Sequence, residues 1–207
     1  MIRNLTETKN YILEFDELPR RIFLDTNILQ YLQDFGEYIF DHYIENENYF
    51  LTTKGNRIDK NNSLYLEIIA LREILLGIDG TNVEFALSEI VYEEVMARRD
   101  YDFYMWFSEM WNHWQETVGC YEECPFSDES QAKYEMAYRD NALLGNLSGK
   151  DRLIVLEAIR LDCNAILTVD KFADINKQNF IYSRYNLWLL KPTDLMKILK
   201  PFRALWY

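Results

Sequence analysis

The sequence predicts an α/β fold in three layers, a central parallel sheet between two layers of helices. Three observations carry this expectation. Two short apolar runs, Arg21 to Leu24 and Ala165 to Val169, have strand character and each ends on an acid, Asp25 and Asp170. Strand-like runs alternate with segments of helical period along the chain. Only seven glycines and four prolines interrupt 207 residues, with no linker and no repeat, so residues 1–207 read as one domain.

The elements follow in order. Residues 1–20 form a polar lead-in with a helical tendency. Arg21 to Leu24 are the first strand. Ile28 to Phe35 read as a helix with Ile28, Leu29, Tyr31 and Leu32 on its apolar stripe. Residues 36–62 are rich in Tyr, Phe and Asn, with a turn-like Lys54-Gly55-Asn56, and read as a helical insertion after that first helix. Ser63 is placed to cap a helix to about Leu76, with Leu66, Ile69, Ala70, Ile74 and Leu75 at helical spacing. Val83 to Leu87 are the second strand. Ser88 is a suitable N-cap for a helix carrying Ile90, Val91, Val95 and Met96.

Residues 100–148 read as a helical hairpin region. Phe103, Trp106, Phe107, Met110 and Trp114 fall on one stripe, which suits internal packing better than a dimer or partner surface. Asp151 to Leu161 form a helix with Leu153, Ile154, Ala158 and Leu161 apolar. The strand ending at Asp170 follows, then a last strand from Leu187 to Leu190, Pro192, and a helix around Leu195 to Leu199.

Composition bounds the function. Hydrophobic residues make up 49%, enough for a folded core. No apolar run is long enough to span a bilayer, and Met1 to Asn10 lack the core of a secretion signal. Three cysteines do not pair into a disulfide framework, so a reducing cytoplasm is expected. A net charge of −12 argues against non-specific coating of nucleic acid. It leaves room for an enzyme acting on nucleic acid at a local site, and for a basic protein partner.

Four acids share a positional logic. Asp25 and Asp170 sit at strand C-termini, Glu94 lies in the helix after the second strand, and Asp151 opens the helix before the Asp170 strand. In an open parallel sheet the strand ends and the starts of the following helices share one edge. Asp151 belongs there only if its helix begins beside the crevice. Each acid alone has a structural explanation: Asp25 as a cap, Asp151 at a helix N-terminus, Glu94 as a solvated charge, Asp170 holding a turn. Together they would repel unless a cation lay between them, and hard oxygen ligands favour Mg²⁺ or Mn²⁺ over zinc.

Four pieces of the chain carry a resemblance: Ile22-Phe23-Leu24-Asp25-Thr26-Asn27, Leu87-Ser88 through Glu94-Val95, Lys150-Asp151-Arg152-Leu153-Ile154 on to Ala158, and Ile166-Leu167-Thr168-Val169-Asp170-Lys171-Phe172. With Leu190-Lys191-Pro192-Thr193-Asp194-Leu195 at the end, the order resembles that of the PIN-domain nucleases. The resemblance implies a PIN-like fold and an acidic quartet of Asp25, Glu94, Asp151 and Asp170 as catalytic and metal-binding residues. Thr26, Asn27, Ser88 and Thr168 would be its polar supports, and the Asp151 helix would start beside the site. Glu93 competes with Glu94, because adjacent helical residues point about 100° apart. Val91 and Val95 mark the buried side and favour Glu94. The interval from Asp25 to Glu94 is long for the family, and residues 36–62 account for it.

The implied activity is metal-dependent hydrolysis of a phosphodiester, foremost in single-stranded or structured RNA. It needs no Ser-His or Cys-His nucleophile, in keeping with only two histidines. Lys150, Arg152 and Lys171 flank two of the acids, and Arg98-Arg99 close the Glu94 helix. These residues suit a basic rim for substrate and ordinary surface charge equally well. A haloacid-dehalogenase-type phosphatase wants a second acid where Asn27 stands. A zinc site from His113, Cys120 and Cys124 is ill-spaced. The alternative from another class is a catalytically weak PIN-like module that docks a protein. Some members of the family are toxins held by an antitoxin, so an antitoxin, another protein or a second copy are the partners to expect, with no membrane.

Overall fold

The computed structural model describes residues 17–41, 51–53, 56–77, 83–117, 127–170 and 175–205. The lead-in through residue 16, Lys171, His42, Cys120 and Cys124 lie outside these residues, as does the side chain of His113.

Four strands form one parallel sheet: β1 (Arg21–Leu24), β4 (Glu84–Ala86), β5 (Ala165–Leu167) and β6 (Trp188–Leu190), in the order β4-β1-β5-β6. Phe23 pairs with Ala86 on one side and Ile166 on the other, and Leu167 pairs with Leu190. Ile22, Phe23, Ala165, Ile166 and Leu167 are fully buried. Unbroken apolar runs such as these, without alternation, belong to strands covered on both faces. At the opposite end of the sheet from Asp25, Asn164 Oδ1 accepts from the amides of Arg20 and Arg21 at 3.0 and 3.1 Å, which fixes β1 against the turn entering β5.

The helices are α1 (Thr26–Asp34), α2 (Gly36–Phe40), α3 (Ser63–Gly77), α4 (Glu89–Ala97), α5 (Tyr101–Thr117), α6 (Asp128–Tyr138), α7 (Asn141–Asn146), α8 (Gly149–Arg160), α9 (Ile175–Tyr185) and α10 (Pro192–Leu199), followed by a 3-10 helix (Lys200–Leu205). Pro192 occupies the first turn of α10, where its missing N–H costs nothing. The helix α3 packs against α2 and α10, and α6 packs against α8. Among the described residues no helix is long and apolar enough to cross a membrane.

Several expected details are corrected. The segment 36–62 is not wholly helical: after α2 it contains a two-stranded antiparallel ribbon, β2 (Thr52–Thr53) with β3 (Asn56–Arg57). Leu66, Met96 and Leu153, assigned to apolar stripes, are 49%, 47% and 45% exposed. In α3 the core takes Ala70 and Ile74 as expected, and with them Tyr65, Ile68 and Leu71, so the buried face is broader than the expected stripe and leaves out only its edge at Leu66. In α8 it takes Ile154, Val155, Ala158 and Ile159. The helices α6, α7 and α9 were not separately expected. Of the aromatic stripe of α5, Phe103, Trp106, Phe107 and Met110 pack into the core, and the side chain of Trp114 lies outside the described residues. Phe103 and Phe107 are fully buried, and Tyr92 of α4 lies 6.0 Å from the Phe107 ring and 5.7 Å from that of Trp111.

Candidate active site

The strand order itself marks a place for a site. From β1 the chain next joins the sheet on one side, at β4, whereas from β4 and from β5 it moves in the opposite direction. Right-handed crossovers therefore send the connection leaving β1 to one face and those leaving β4 and β5 to the other. The chain parts at the C-terminal end of β1, which is where α/β sheets open a crevice. Asp25 stands at that point. Beyond the strands, Asp25 N–H donates to Leu167 O at 3.1 Å and Thr168 N–H to Leu190 O at 2.9 Å. The continued register brings Ser88, Asp25, Thr168 and Lys191 into one row along the edge.

Asp25 occupies the N-cap position of α1, yet its side chain makes no capping bond. It is 5% exposed, and Oδ2 accepts from Thr168 Oγ1 and from Asn27 Nδ2, both at 2.5 Å. Asn27 is fixed in turn, its Oδ1 accepting from the amide of Val169 at 3.0 Å. Thr168 Oγ1 also accepts from the amide of Asp170 at 3.2 Å. The motif Asp25-Thr26-Asn27 thus clasps Thr168-Val169-Asp170 across two strands, with the Asp25 carboxylate at the centre. Burial pushes Asp25 above the ordinary carboxylate value. The Thr168 hydrogen bond opposes this, and the nearby charge of Glu94 adds to it.

Glu94 approaches from α4. Its Oε2 accepts from Thr26 Oγ1, and its Oε1 pairs with Lys150 Nζ at 3.0 Å. Three elements meet on this carboxylate: α4 carries it, the start of α1 holds one oxygen, and the start of α8 reaches the other. Burial acts to raise Glu94, but the hydrogen bonds from Thr26 and Lys150 and the charges of Lys150 and Arg98 outweigh it. Glu94 is held below the ordinary carboxylate value. The side chain of Glu94 is 19% exposed, whereas Glu93 faces solvent. Asp25 and Glu94 are thus a carboxylate pair whose surroundings push their proton affinities apart.

The other expected residues divide. Asp151 is half-buried in the first turn of α8, where Ser148 Oγ accepts from its amide at 3.2 Å. The Lys150–Glu94 contact brings this turn beside the pair. Asp170 is exposed and is joined to the site through its amide. Among the described residues no three Asp, Glu, His or Cys side chains gather closely enough to hold a metal ion. Ser88 is fully buried at the N-cap of α4, makes no capping bond, and its Oγ has no hydrogen-bond partner. An orphaned hydroxyl in the same row as a buried carboxylate is unusual, since buried polar groups are nearly always paired.

Of the basic rim, Arg152 points elsewhere: Nη2 donates to Tyr138 O at 2.6 Å and the guanidinium lies 5.4 Å from the Tyr138 ring. Arg98 lies 5.6 Å from the Phe103 ring, and its Nη1 donates to Gln30 Oε1 at 3.3 Å. Lys191 was not singled out, and only the pairing of β5 with β6 brings it to this edge. The capping of α8 by Ser148 has a sequence signal, Ser148 followed three residues later by Asp151.

A divalent cation suits the chemistry of the Asp25–Glu94 pair. The donors are all oxygens, and among the described residues the buried Asp25 is hydrogen-bonded by neutral groups and the charge that shifts it is another carboxylate. A buried anion in that position takes up either a proton or a cation. Comparison with family models, with curated proteins and with solved structures gave no match.

Proposed function

We propose that this chain is a metal-dependent nuclease of the PIN-like kind, an endoribonuclease acting on single-stranded or structured RNA, with a three-layer α/β/α fold. One observation carries the chemistry: the buried carboxylate of Asp25, without a counter-cation among the described residues, beside Glu94 at the C-terminal end of β1, where the direction of the strand order reverses. Opposite crossover directions on either side of β1 support the three layers. The choice of RNA rests on the resemblance of the four sequence pieces.

Asp25 and Glu94 would hold Mg²⁺ or Mn²⁺, with Asp151 and Asp170 completing the site. The bound ion would supply Lewis acidity for the scissile phosphate and its attacking water. The chain's own part is positional. Asn27 and Thr168 fix the plane of the Asp25 carboxyl through Oδ2, and Thr26 fixes Glu94 through Oε2. Ser88 keeps an unspent donor at the same edge.

The second reading, a catalytically weak module that docks a protein, draws on the absence of a three-residue cluster among the described residues. A cleavage assay on RNA and DNA oligonucleotides with a panel of Mg²⁺, Mn²⁺, Ca²⁺ and Zn²⁺ separates the two. Cleavage of RNA with Mg²⁺ or Mn²⁺ that falls at least about 100-fold in Asp25→Asn, on the scale of losing one key electrostatic group, is the expected result. No cleavage under any metal, or activity indifferent to Asp25→Asn, overturns the nuclease.

A further inference from the structure

The geometry points to Lys150 as a built-in counter-ion: its ammonium sits on the Glu94 oxygen that a divalent cation would take, so metal entry is an exchange of one cation for another. This rests on the reading of Asp25 and Glu94 as metal ligands. Both oxygens of Glu94 are engaged, but unequally. Thr26, 1% exposed and fixed at the start of α1, holds Oε2 from within. Lys150, whose side chain is 79% exposed, holds Oε1 from solvent at 3.0 Å.

The two donors differ in what a metal ion does to them. The Thr26 hydroxyl is neutral and can stay on Oε2 while Oε1 ligates. The Lys150 ammonium carries a like charge and cannot remain within a few ångströms of a divalent ion without strong repulsion. Its departure is easy, because the head is already largely hydrated and the four-carbon stem is flexible. Among the described residues no cation contacts Asp25, so the Lys150 ammonium covers only one member of the pair. Lys150 therefore holds Glu94 in place until a metal binds, at the cost of competing with it. Placement in the first turn of α8, immediately before Asp151, couples this exchange to the helix that carries the third acid.

The test is calorimetric titration of the full chain with Mn²⁺ alone, comparing wild type, Lys150→Gln, Lys150→Arg and Asp25→Asn. Lys150 is exposed, and its side chain takes no part in packing that the fold requires. At about 50 mM KCl, Lys150→Gln is expected to bind Mn²⁺ about fivefold more tightly than wild type, the upper end for an exposed ion pair. Lys150→Arg should bind as wild type does. The Gln-to-wild-type ratio should shrink toward one at about 500 mM KCl, as screening weakens the pair. If Lys150→Gln binds no tighter while Asp25→Asn abolishes binding, the exchange is overturned and the metal site stands; Lys150 would then serve substrate alone. If Asp25→Asn binds Mn²⁺ as wild type does, the metal reading fails and the exchange fails with it.

Discussion

Two aspartates set the residue scale, because their environments act in opposite directions. Burial holds Asp25 above its ordinary value, so its proton is bound more tightly in the folded chain than in the unfolded one. The folded state is favoured below the unfolded carboxylate value near 3.9, and that advantage is lost as pH rises through the folded value. Asp140 is the reverse. Its carboxylate accepts from Arg184 Nε, from Tyr185 Oη at 2.6 Å and from the Ala142 amide at 2.8 Å. The Arg184 hydrogen bond, followed by that of Tyr185, holds Asp140 far below the ordinary range, and the Tyr185 phenol is pushed up to about 12. Its contribution is present above the unfolded value and fades as pH falls toward the folded one.

Metal-free Asp25→Asn should therefore melt higher than wild type at pH 7, with the gap closing toward pH 4. Asp140→Asn should melt lower at pH 7, with its deficit shrinking in acid. Scanning calorimetry from pH 3 to 7 in the presence of a chelator checks both signs. Parallel behaviour of the two variants would contradict these environments. Asp25 was legible in the sequence because a strand, an acid and a helix start are consecutive. The Asp140–Arg184–Tyr185 cluster was not, because its members lie 44 and 45 residues apart with no local pattern. It borders a cavity of about 560 Å³ with Met136 and Arg139.

At the scale of elements, helix ends decide where the functional groups lie. The C-terminus of α8 closes without glycine: Asp162 takes a left-handed φ of 54°, Cys163 N–H donates to Ala158 O at 2.8 Å, and Asp162 N–H donates to Ile159 O at 3.0 Å. This double bond pattern turns the chain straight from α8 into β5, and so into the Thr168 contact with Asp25. Asp162→Val places a β-branched side chain at positive φ and should cost about 1–2 kcal/mol, whereas Asp162→Gly should be neutral or stabilising. Urea denaturation of the three proteins measures the difference. A valine variant as stable as wild type would mean that the turn is not strained.

The starts of helices follow a different rule. Ser148 and Ser127 cap α8 and α6 through their side chains. Asp25 and Ser88 occupy the same position on α1 and α4 and do not cap. A capping signal is readable in the sequence, but whether the side chain turns to its own helix or to a neighbouring strand is set by what lies across the sheet. The exposure of Leu66 and Leu153 has a similar cause. Helical spacing gives a stripe about 100° wide, and the partner helix selects which edge of the stripe is covered.

For the whole molecule, the charge of −12 bears on how any nucleic acid would be held. Near the pair, Lys150 is engaged with Glu94, and Arg152 is engaged with Tyr138. Among the described residues this leaves few cations at the edge to meet phosphates, Lys191 among them, so single-stranded RNA should be released only gradually as salt rises. A slope of log affinity against log salt no steeper than about −2 corresponds to some three phosphate contacts. Fluorescence anisotropy with a labelled oligonucleotide and catalytically silent Asp25→Asn protein gives this slope. A value beyond about −5 would require an extended basic surface and refute the local mode of binding.

By itself the sequence determined the alternation of strands and helices, the apolar character of β1 and β5, and the acid that follows β1, although not the end of β5, which stops at Leu167 and leaves Asp170 three residues beyond it. These are local consequences of side-chain period and of charge following an apolar run. Only the tertiary structure decided that β1 lies between β4 and β5, which puts Asp25 where the connections diverge. It alone led Lys150 to Glu94 and Arg152 to Tyr138, whereas the inward turn of Glu94 and the outward turn of Glu93 were already favoured by Val91 and Val95. The physical reason is the same in each case. Strand order and helix rotation minimise exposed apolar area over the whole chain, so the direction a charged side chain takes is fixed by packing partners distant in sequence.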